Sequence, residues 1–464
     1  MTFNGFKRGD VFYMKHRNQS MLTGPLFSGI MLYTIPIILT SVLQLLFNAA
    51  DLVVVGQYCG SISVAAVGAT SSITNLIVNL FVGLSVGAGV TVAHALGGND
   101  REAAYRTVHT AIPAALVSGV ILTVIGVCCS GSFLTLMGTP ENVLPLSTVY
   151  MQIYFSGITF TMIYNFCASI LRAAGDTKSP LIFLSIAGVI NVVLNVIFVR
   201  YFNMNVAGVA LATVISQGIS AVLVVIALMR RTDACGLHLS QLRFYKPQLV
   251  KIIRIGLPAG IQSSLFAISN VIIQSSVNSF GDILMSGNAA ANNIEGFIYA
   301  TVNSFHQTAV NYIGQNTGAG QFKRVYRTLW ICLGCVCAIG LAAGGAAYFF
   351  GPELLSIYIT DSAEAITYGM LRLQIMCMTY FLCGMMDVST GALRGMGSSV
   401  TPMIISILGV CGIRIGWIYT IFQLPAFHTP EWLYISYPVS WLVTFLCQLM
   451  VFLIVYFRNT RSGK

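Results

Sequence analysis

Charged side chains are scarce in this sequence: they make up 8% of its 464 residues, against about a quarter in soluble proteins. Hydrophobic residues account for 56%, and the mean hydropathy is +0.81. This composition excludes an ordinary soluble protein and predicts an all-α polytopic membrane protein. The first apolar run is too long for a signal peptide and is followed by others, so we expect it to remain as a membrane helix.

Motifs of enzymes and metal sites are lacking as well. The 12 Cys are scattered through apolar runs without paired spacing or neighbouring His, which favours packing over disulfides or metal ligation. The sequence contains no HExxH motif and no paired nucleophile and base. The Gly-rich turns at His94–Asp100 and Gly314–Gly320 lack the Lys-Ser/Thr pair of a phosphate-binding loop. We therefore predict neither an enzyme nor a protein with a bound cofactor or metal.

Twelve apolar segments are long enough to cross roughly 30 Å of hydrocarbon. They cover residues 28–56, 62–95, 105–130, 144–171, 179–200, 206–230, 249–279, 284–313, 325–350, 365–393, 400–424 and 432–457. Six fall in each half of the chain. The predicted organisation is a cytoplasmic lead-in (1–24), an N-terminal six-helix lobe (25–231), a linker (232–248), a C-terminal six-helix lobe (249–457) and a tail (458–464).

One ten-residue stretch occurs twice. LRAAGDTKSP, at Leu171–Pro180, returns as LRGMGSSVTP at Leu393–Pro402, an offset of 393 − 171 = 222 along the chain. Each copy has an Arg, a Gly suited to positive φ and a Pro at the start of the next helix, which is typical of a tight turn between helices. The equivalent turn residues are Arg172, Gly175, Arg394 and Gly397. The repeat indicates a duplicated domain, and an even number of spans per copy gives both pseudo-symmetric lobes the same orientation, a parallel repeat.

Positive charge is concentrated on one side of the predicted spans. Of the 24 Lys and Arg residues, 21 fall in connections on that side, whereas the connections on the other side contain Arg200 alone. The positive-inside rule therefore predicts that both termini and both turns are cytoplasmic, in a cell inner (plasma) membrane. This distribution explains the net charge of +10 without a nucleic-acid partner, and membrane lipids are the expected surroundings.

The paired L-R-x-x-G...P turns, the GQNTGAG turn and twelve spans in two similar halves resemble the multidrug and toxic compound extrusion (MATE) family. The resemblance implies two lobes facing a central cavity, and export of amphipathic, often cationic organic compounds in exchange for H⁺ or Na⁺ by alternating access. We expect a monomer that transports small organic molecules. The alternative is a flippase for lipid-linked saccharides, a distant relative expected to carry more cavity cations; a single mid-membrane arginine, Arg414, argues against it.

Asp51 is an ionisable residue at membrane depth, a position that usually marks function. Its counterpart in the second copy is Ile273 (51 + 222 = 273), so the acid belongs to one lobe. One branch of the MATE family builds a cation site from such an Asp, an Asn and an Asp four apart in the fifth span, and a Thr in the sixth. The matching residues are Asn191, Asn195 and Thr213, with Asn195 replacing the second acid. Helix capping or interhelical hydrogen bonding is the alternative role of the two asparagines.

The spacing of Asn191 and Asn195 places them on one helix face, and we predict that Asp51 faces one of them inside the lobe. An amide in place of the second carboxylate weakens a Na⁺ site, because it supplies only a carbonyl dipole. A carboxyl group that is removed from water and has no cationic partner binds a proton more readily. We therefore expect Asp51 to couple transport to protons rather than to Na⁺.

The second half contributes three further ionisable residues at membrane depth: Glu295, Asp387 and Arg414. A helical rise of about 1.5 Å per residue, counted from the span ends, puts Glu295 and Arg414 near mid-membrane, and we predict an ion pair between them. Another branch of the family carries an ion-binding acid in the tenth span, about one turn before Asp387, where this chain has Cys383. The ion pair would leave Asp387 as the freer acid and an alternative ion-binding residue.

Overall fold

The computed structural model describes residues 21–359 and 362–462, and every regular element within them is helical. Residues 1–20 of the predicted lead-in and the last two residues of the predicted tail lie outside the described residues. The first half contains α1 (Leu26–Cys59), α2 (Ser61–Gly97), α3 (Arg101–Leu136), α4 (Leu144–Ser156), α5 (Ile158–Ala173), α6 (Lys178–Val196) and α7 (Asn205–Met229).

The second half contains α8 (Lys246–Asn278), α9 (Asp282–Gly318), α10 (Phe322–Phe349), α11 (Gly351–Ser356), α12 (Ala363–Gly395), α13 (Val400–Ser406), α14 (Ile413–Tyr419) and α15 (Pro430–Ser462). Two π-helical segments extend this set: Ile197–Tyr201 continues α6, and Ile407–Gly412 joins α13 to α14. Short 3₁₀ turns cover Leu239–Gln241, Ile421–Gln423 and Pro425–Phe427.

Ten spans of the described residues, with α6 and the α13–α14 pair counted through their π-helical segments, are long and apolar enough to cross a membrane. α4 and α5 form an eleventh span with a bend of 47°. The bend lies at Gly157, where an added Cβ would be 2.4 Å from Cγ1 of Val214 on α7. α9 is as long as α2, at 37 residues, but more polar. It is not among the helices that are long and apolar enough to span, so the described residues contain ten such spans, or eleven with the bent pair, against the twelve predicted.

The sequence repeat is also a repeat of helix ends. α5 ends at Ala173 and α12 ends at Gly395, and the offset between these ends is again 395 − 173 = 222. Beyond each end a glycine takes positive φ, +90° at Gly175 and +86° at Gly397. The N–H of each glycine donates to the carbonyl three residues earlier, at 3.0 and 2.8 Å respectively. This is a Schellman C-cap, in which glycine avoids the clash that a Cβ meets at positive φ.

Each half has a hydrophobic core, and Ile30, Tyr33 and Ile37 of α1 also pack into the core of the second half. The two halves form two lobes. Phe155 and Phe166 are completely buried in the core of the first lobe, and Phe305 and Phe452 in that of the second. The predicted fold class, an all-helical protein in two repeated lobes, is confirmed.

Glycines allow α2 of the first lobe to touch α8 of the second. An added Cβ at Gly83 would lie 2.3 Å from the backbone nitrogen of Gly260, and one at Gly87 would lie 2.2 Å from the carbonyl oxygen of Ile252. On α8, a Cβ at Gly256 would meet the backbone of α2 at 2.5 Å. Side chains at these positions would force the helices apart, so the interface depends on small residues.

The two turns lie at the same end of the molecule, where the lobes are joined. Nε2 of Gln315, near the end of α9, donates to the carbonyl oxygen of Ala173 beside the first turn at 2.6 Å. Nε2 of His94, near the end of α2, donates to the carbonyl oxygen of Gly395 beside the second turn, also at 2.6 Å. Because equivalent turns lie at one end, the repeat is parallel, as predicted.

Candidate functional site

A close contact between α1 and α6 brings the first-span acid to its predicted partners. Gly188 on α6 faces the ring of Phe47 on α1, and an added Cβ would lie 1.8 Å from Cε2 of that ring. Asp51 follows Phe47 by about one turn, and Asn191 and Asn195 follow Gly188 on the same side of α6. The absence of a side chain at Gly188 therefore lets the carboxyl group of Asp51 reach Asn195.

The four residues singled out in the first lobe form one hydrogen-bonded chain. Nδ2 of Asn195 donates to Oδ1 of Asp51 at 2.5 Å and to Oδ1 of Asn191 at 3.3 Å. Nδ2 of Asn191 donates to Oγ1 of Thr213 on α7 at 3.4 Å, and the Thr213 hydroxyl donates to the carbonyl of Val209 at 3.0 Å. Asp51 therefore faces Asn195 inside the lobe, as the sequence predicted. The asparagines also link α1, α6 and α7, which is the alternative role considered for them.

The two asparagines of this hydrogen-bonded chain are buried, Asp51 and Thr213 are partly exposed, and no opposite charge neutralises Asp51. Asn195 is completely buried and Asn191 nearly so. Among the described residues, no Lys or Arg forms an ion pair with Asp51. Oδ1 of Asn195 is buried and has no hydrogen-bond partner in the described part of the chain. A carboxyl group beside an unpartnered amide oxygen can hold a proton or a small cation, because both require oxygen acceptors.

In the second lobe, Glu295 pairs with Arg372 and not with Arg414. Its two carboxylate oxygens accept hydrogen bonds from Nε and Nη2 of Arg372, each at 2.7 Å, and both side chains are buried. Nη1 of Arg372 donates to Oδ1 of Asn288 at 2.5 Å, and its guanidinium lies 5.4 Å from the centre of the Tyr434 ring. The predicted ion pair between Glu295 and Arg414 is wrong.

The prediction failed because the position of a residue along a span gives the depth of its side chain in the membrane but not the direction in which the side chain points. α9, which carries Glu295, packs along α12, which carries Arg372, whereas α14, which carries Arg414, packs against α8 and α15. Sequence reasoning missed Arg372; the signal that could have found it is an arginine inside an apolar span at a depth similar to that of Glu295. The second lobe holds more than one mid-membrane arginine, so this count no longer argues against a flippase.

Asp387, on α12, remains outside any ion pair in the described residues. Its side chain is buried and its Oδ2 has no hydrogen-bond partner among them. Asn303 on α9 lies within hydrogen-bonding reach of the carboxyl group. Arg394 is close enough to attract it electrostatically, but Nη2 of Arg394 donates to Oε1 of Gln262 at 2.7 Å. Asp387 therefore fits the expectation of a freer acid.

Arg414 lies among aromatic side chains of α15. Its guanidinium carbon is 4.0 Å from the centre of the Tyr437 ring and 5.6 Å from the centre of a Trp441 ring. Its Nε donates to Oγ of Ser440 at 2.9 Å. These partners are all neutral.

The family model MatE matches residues 36–197 and 258–420, which together make up more than half of the chain. The chain belongs to the MATE family. The starts of the two matched segments are offset by 258 − 36 = 222, the displacement of the two turns, so each lobe of this MATE protein is one copy of the family's domain.

Relatives and solved structures are similar over nearly the whole chain. The protein is 26% identical to "Probable multidrug resistance protein YoeA" of Bacillus subtilis (89% of this chain, 91% of the relative) and 27% identical to YpnP of the same organism, also a probable multidrug resistance protein (84% and 87%). An outward-facing multidrug resistance MATE family transporter of the MOP superfamily gives a TM-score of 0.88 at 20% identity, over 96% of this chain and 99% of that one. The Vibrio cholerae MATE transporter VcmN, as an aspartate-to-asparagine mutant, gives 0.85 at 20% identity (94% and 97%). These structures share the fold.

The two turn arginines of this MATE protein occupy equivalent positions but have different partners. Nη1 of Arg172 donates across the lobe interface to Oε1 of Gln307 at 2.9 Å. Arg394 contacts its own lobe: besides Gln262, its Nη1 lies 3.5 Å from Nε2 of His306. The side chain of Arg172 therefore links the two lobes, whereas the side chain of Arg394 contacts residues of the second lobe.

Proposed function

We propose that this MATE protein exports amphipathic, often cationic organic compounds in exchange for protons, by alternating access between its two lobes. Family membership supports export, and the relatives named as multidrug resistance proteins support a substrate class of small organic compounds. The concentration of positive charge on one side supports cytoplasmic termini and turns in an inner (plasma) membrane. Both lobes belong to one chain, so a monomer suffices for this cycle.

The observation that carries the proposal is the hydrogen-bonded chain from Asp51 to Thr213. Nδ2 of Asn195 donates to Asp51, which is the bond that an ionised carboxylate favours. A proton on Asp51 turns the carboxyl group into a donor, and Oδ1 of Asn195 is an acceptor on the same amide, without a partner among the described residues. Presenting that oxygen requires the amide to turn, which breaks its bond to Asn191. Protonation thereby changes how α1 is held against α6 and α7.

The inter-lobe contacts support a cycle in which the lobes close at one end and open at the other. The lobes are joined beside the turns, and the inter-lobe hydrogen bond farthest from them in the described residues runs from Oγ of Ser264 to the carbonyl oxygen of Leu76, at 2.9 Å. With cytoplasmic turns, this arrangement corresponds to an outward-open state. The return step separates α2 from α8 at their glycine contact, where few side chains have to disengage.

The proposal is tested by dye export in inside-out vesicles with pH and Na⁺ gradients imposed separately. Asp51→Asn preserves the size of the side chain but cannot take up a proton, so uphill export should be lost while the protein remains folded and inserted. Asp282→Asn, at an exposed acid that begins α9, is the matched control and should export normally. Full pH-driven export by Asp51→Asn would refute the role of Asp51. Wild-type export that follows a Na⁺ gradient at fixed pH would refute the choice of proton.

Asn195→Asp provides a complementary test, because it restores the second acid of the cation site found in one branch of the family. A second carboxylate adds the charge that helps to hold a dehydrated Na⁺. The variant should therefore respond to a Na⁺ gradient more strongly than the wild type does. An unchanged response would show that position 195 does not decide between the two ions.

A further inference from the structure

The connection that joins the lobes, residues 230–245, is docked on the first lobe. Cys235 and Leu237 of this connection are buried in the core of that lobe. Farther along, the backbone N–H of Tyr245 donates to Oγ1 of Thr110 on α3 at 3.1 Å. The connection therefore lies against α3 until α8 begins, at the end of the molecule where the lobes are joined.

His109 on α3 is the side chain that holds the middle of this connection, and it is completely buried. Its Nδ1 lies 2.9 Å from the carbonyl oxygen of Tyr105, which can only accept, so Nδ1 carries a proton. Its Nε2 lies 3.0 Å from the backbone nitrogen of His238 in the connection, which can only donate, so Nε2 carries none. The two hydrogen bonds together fix the imidazole in one neutral tautomer.

A second proton on this ring is incompatible with the docked connection. It would occupy Nε2 and point at the N–H of His238, so that two donors would face each other in place of a hydrogen bond. The connection is also bonded to the backbone of the same residue, because the N–H of Arg243 donates to the carbonyl oxygen of His109 at 3.3 Å. Protonation of His109 therefore acts where the connection is held.

The surroundings of His109 offer no negative charge that would favour the second proton. The ring of Tyr105 lies 3.9 Å from it, centre to centre, and that of His238 lies 6.0 Å away. His238 is exposed and gains positive charge over the same pH range, which adds repulsion. Among the described residues, His109 forms no ion pair. The helices packed against α3, namely α2, α4, α5 and α8, contain no acidic residue. Nearby charged side chains are engaged elsewhere: Glu102 pairs with Arg106, and Arg243 lies over the ring of Tyr245.

We propose that His109 is a proton-sensitive latch, which holds the connection between the lobes on α3 while it is neutral and releases it when it is protonated. The latch itself is independent of the transported compound and of the coupling ion. One consequence rests on the proposed function. A released connection no longer keeps the start of α8 near α3, so acidification of the cytoplasm should ease the separation of the lobes at that end.

The size of the effect follows from the proton that the docked state excludes. A free imidazole has a pKa of about 6.5. If only the released state takes up the proton, the ratio of released to docked connection is multiplied by about 1.1 at pH 7.5 and by about 11 at pH 5.5. The amides of residues 236–243 should therefore lose about tenfold in protection from hydrogen exchange between these two pH values.

The measurement is hydrogen exchange followed by mass spectrometry on the purified full-length protein in lipid nanodiscs. Rates are expressed as protection factors, which removes the dependence of intrinsic exchange on pH. His109→Gln places an amide oxygen near the position of Nε2, where it accepts from the same N–H but takes up no proton. Protection in this variant should change by less than about twofold over the same pH range.

His238→Gln is the matched control, because it removes the second imidazole and keeps the backbone N–H that His109 binds. It should show the wild-type loss of protection, and this comparison remains valid even if His109→Gln fails to fold. Equal protection of the wild type at both pH values, a full wild-type loss in His109→Gln, or no loss in His238→Gln would each overturn the proposal.

The latch and the export proposal fail separately. If wild-type protection does not respond to pH while Asp51→Asn abolishes export, the latch is refuted and the role of Asp51 stands. If Asp51→Asn keeps full export while protection falls in the wild type and not in His109→Gln, the coupling proposal fails and the latch stands.

Discussion

Replacing Arg372 with Met should be among the most destabilising single changes in the second lobe. Its guanidinium engages both carboxylate oxygens of Glu295 at 2.7 Å and donates to Asn288 at 2.5 Å. The Tyr434 hydroxyl donates to the same oxygen of Asn288, at 3.2 Å. Arg372→Met therefore leaves a buried carboxylate without either of its two hydrogen bonds and an amide oxygen with one donor fewer.

Breaking a buried ion pair by removing one partner costs about 3–5 kcal/mol, because the remaining charge is left uncompensated. We expect Arg372→Met to lower the free energy of unfolding by that amount. Arg414→Met leaves only neutral groups behind, so it should lower the free energy of unfolding by about 1–2 kcal/mol. Arg461→Met, at an exposed position, should change stability by less than about 0.5 kcal/mol. The double variant Arg372→Met/Glu295→Leu should recover much of the loss, because no charge remains.

Reversible unfolding by SDS in mixed micelles, followed by far-UV circular dichroism, gives these free energies on one scale. The order Arg372 > Arg414 > Arg461 is the expected result. A loss at Arg414 as large as that at Arg372 would show that Arg414 also neutralises a buried acid. A loss at Arg372 no larger than that at Arg461 would show that the pair with Glu295 does not stabilise the lobe.

Three further outcomes follow from local geometry. Gly256→Leu would place a Cβ 2.5 Å from the backbone of α2. The variant should therefore increase spin-label distances between the lobes beside the turns and abolish export. Gly334→Leu, where an added Cβ meets nothing within 4 Å, is the control and should have neither effect. Gly397→Ala, at φ +86°, should cost about 1–2 kcal/mol of stability, and no loss would mean that the turn relaxes. In the connection between the lobes, burial alone would raise the pKa of Asp233, but hydrogen bonds and the charge of Arg231 hold it below its usual value. The ion pair between Asp233 and Arg231 is therefore present at neutral pH and is lost only as the pH falls below about 4. Asp233→Asn should speed amide hydrogen exchange in this connection at pH 7. Unchanged exchange would show that the ion pair does not stabilise the connection.

The spans, the repeat and the turns could be predicted from the sequence because each has a local requirement. A membrane span needs about 20 apolar residues, and the turns need glycine where φ is positive, as at Gly175 and Gly397. The bend at Gly157 could not be predicted. Its counterpart in the repeat is Thr379 (157 + 222 = 379), inside the unbroken α12, and a glycine in an apolar run is compatible with a straight or a bent helix. The outcome depends on packing against Val214.

The candidate sites, too, could be predicted from the sequence only in part. Asn191 and Asn195 could be placed on one face from their spacing, and the family resemblance supplied Asp51 as their partner; the hydrogen-bonded chain agrees with both. Glu295 was assigned the wrong arginine. The number of residues from a span's end gives the depth of a side chain, but its direction depends on which helices pack together, and that is a property of the tertiary structure.

Pairing between α9 and α12 has a consequence for how the chain is made. Glu295 and Arg372 are 77 residues apart, so at about 5–20 residues per second roughly 4–15 s pass between their synthesis on the ribosome. During that interval α9, the most polar of the long helices, holds a carboxyl group whose partner does not yet exist. We therefore expect α9 to settle in the bilayer only after α12 has emerged, so that the C-terminal lobe is assembled as a unit instead of one helix at a time.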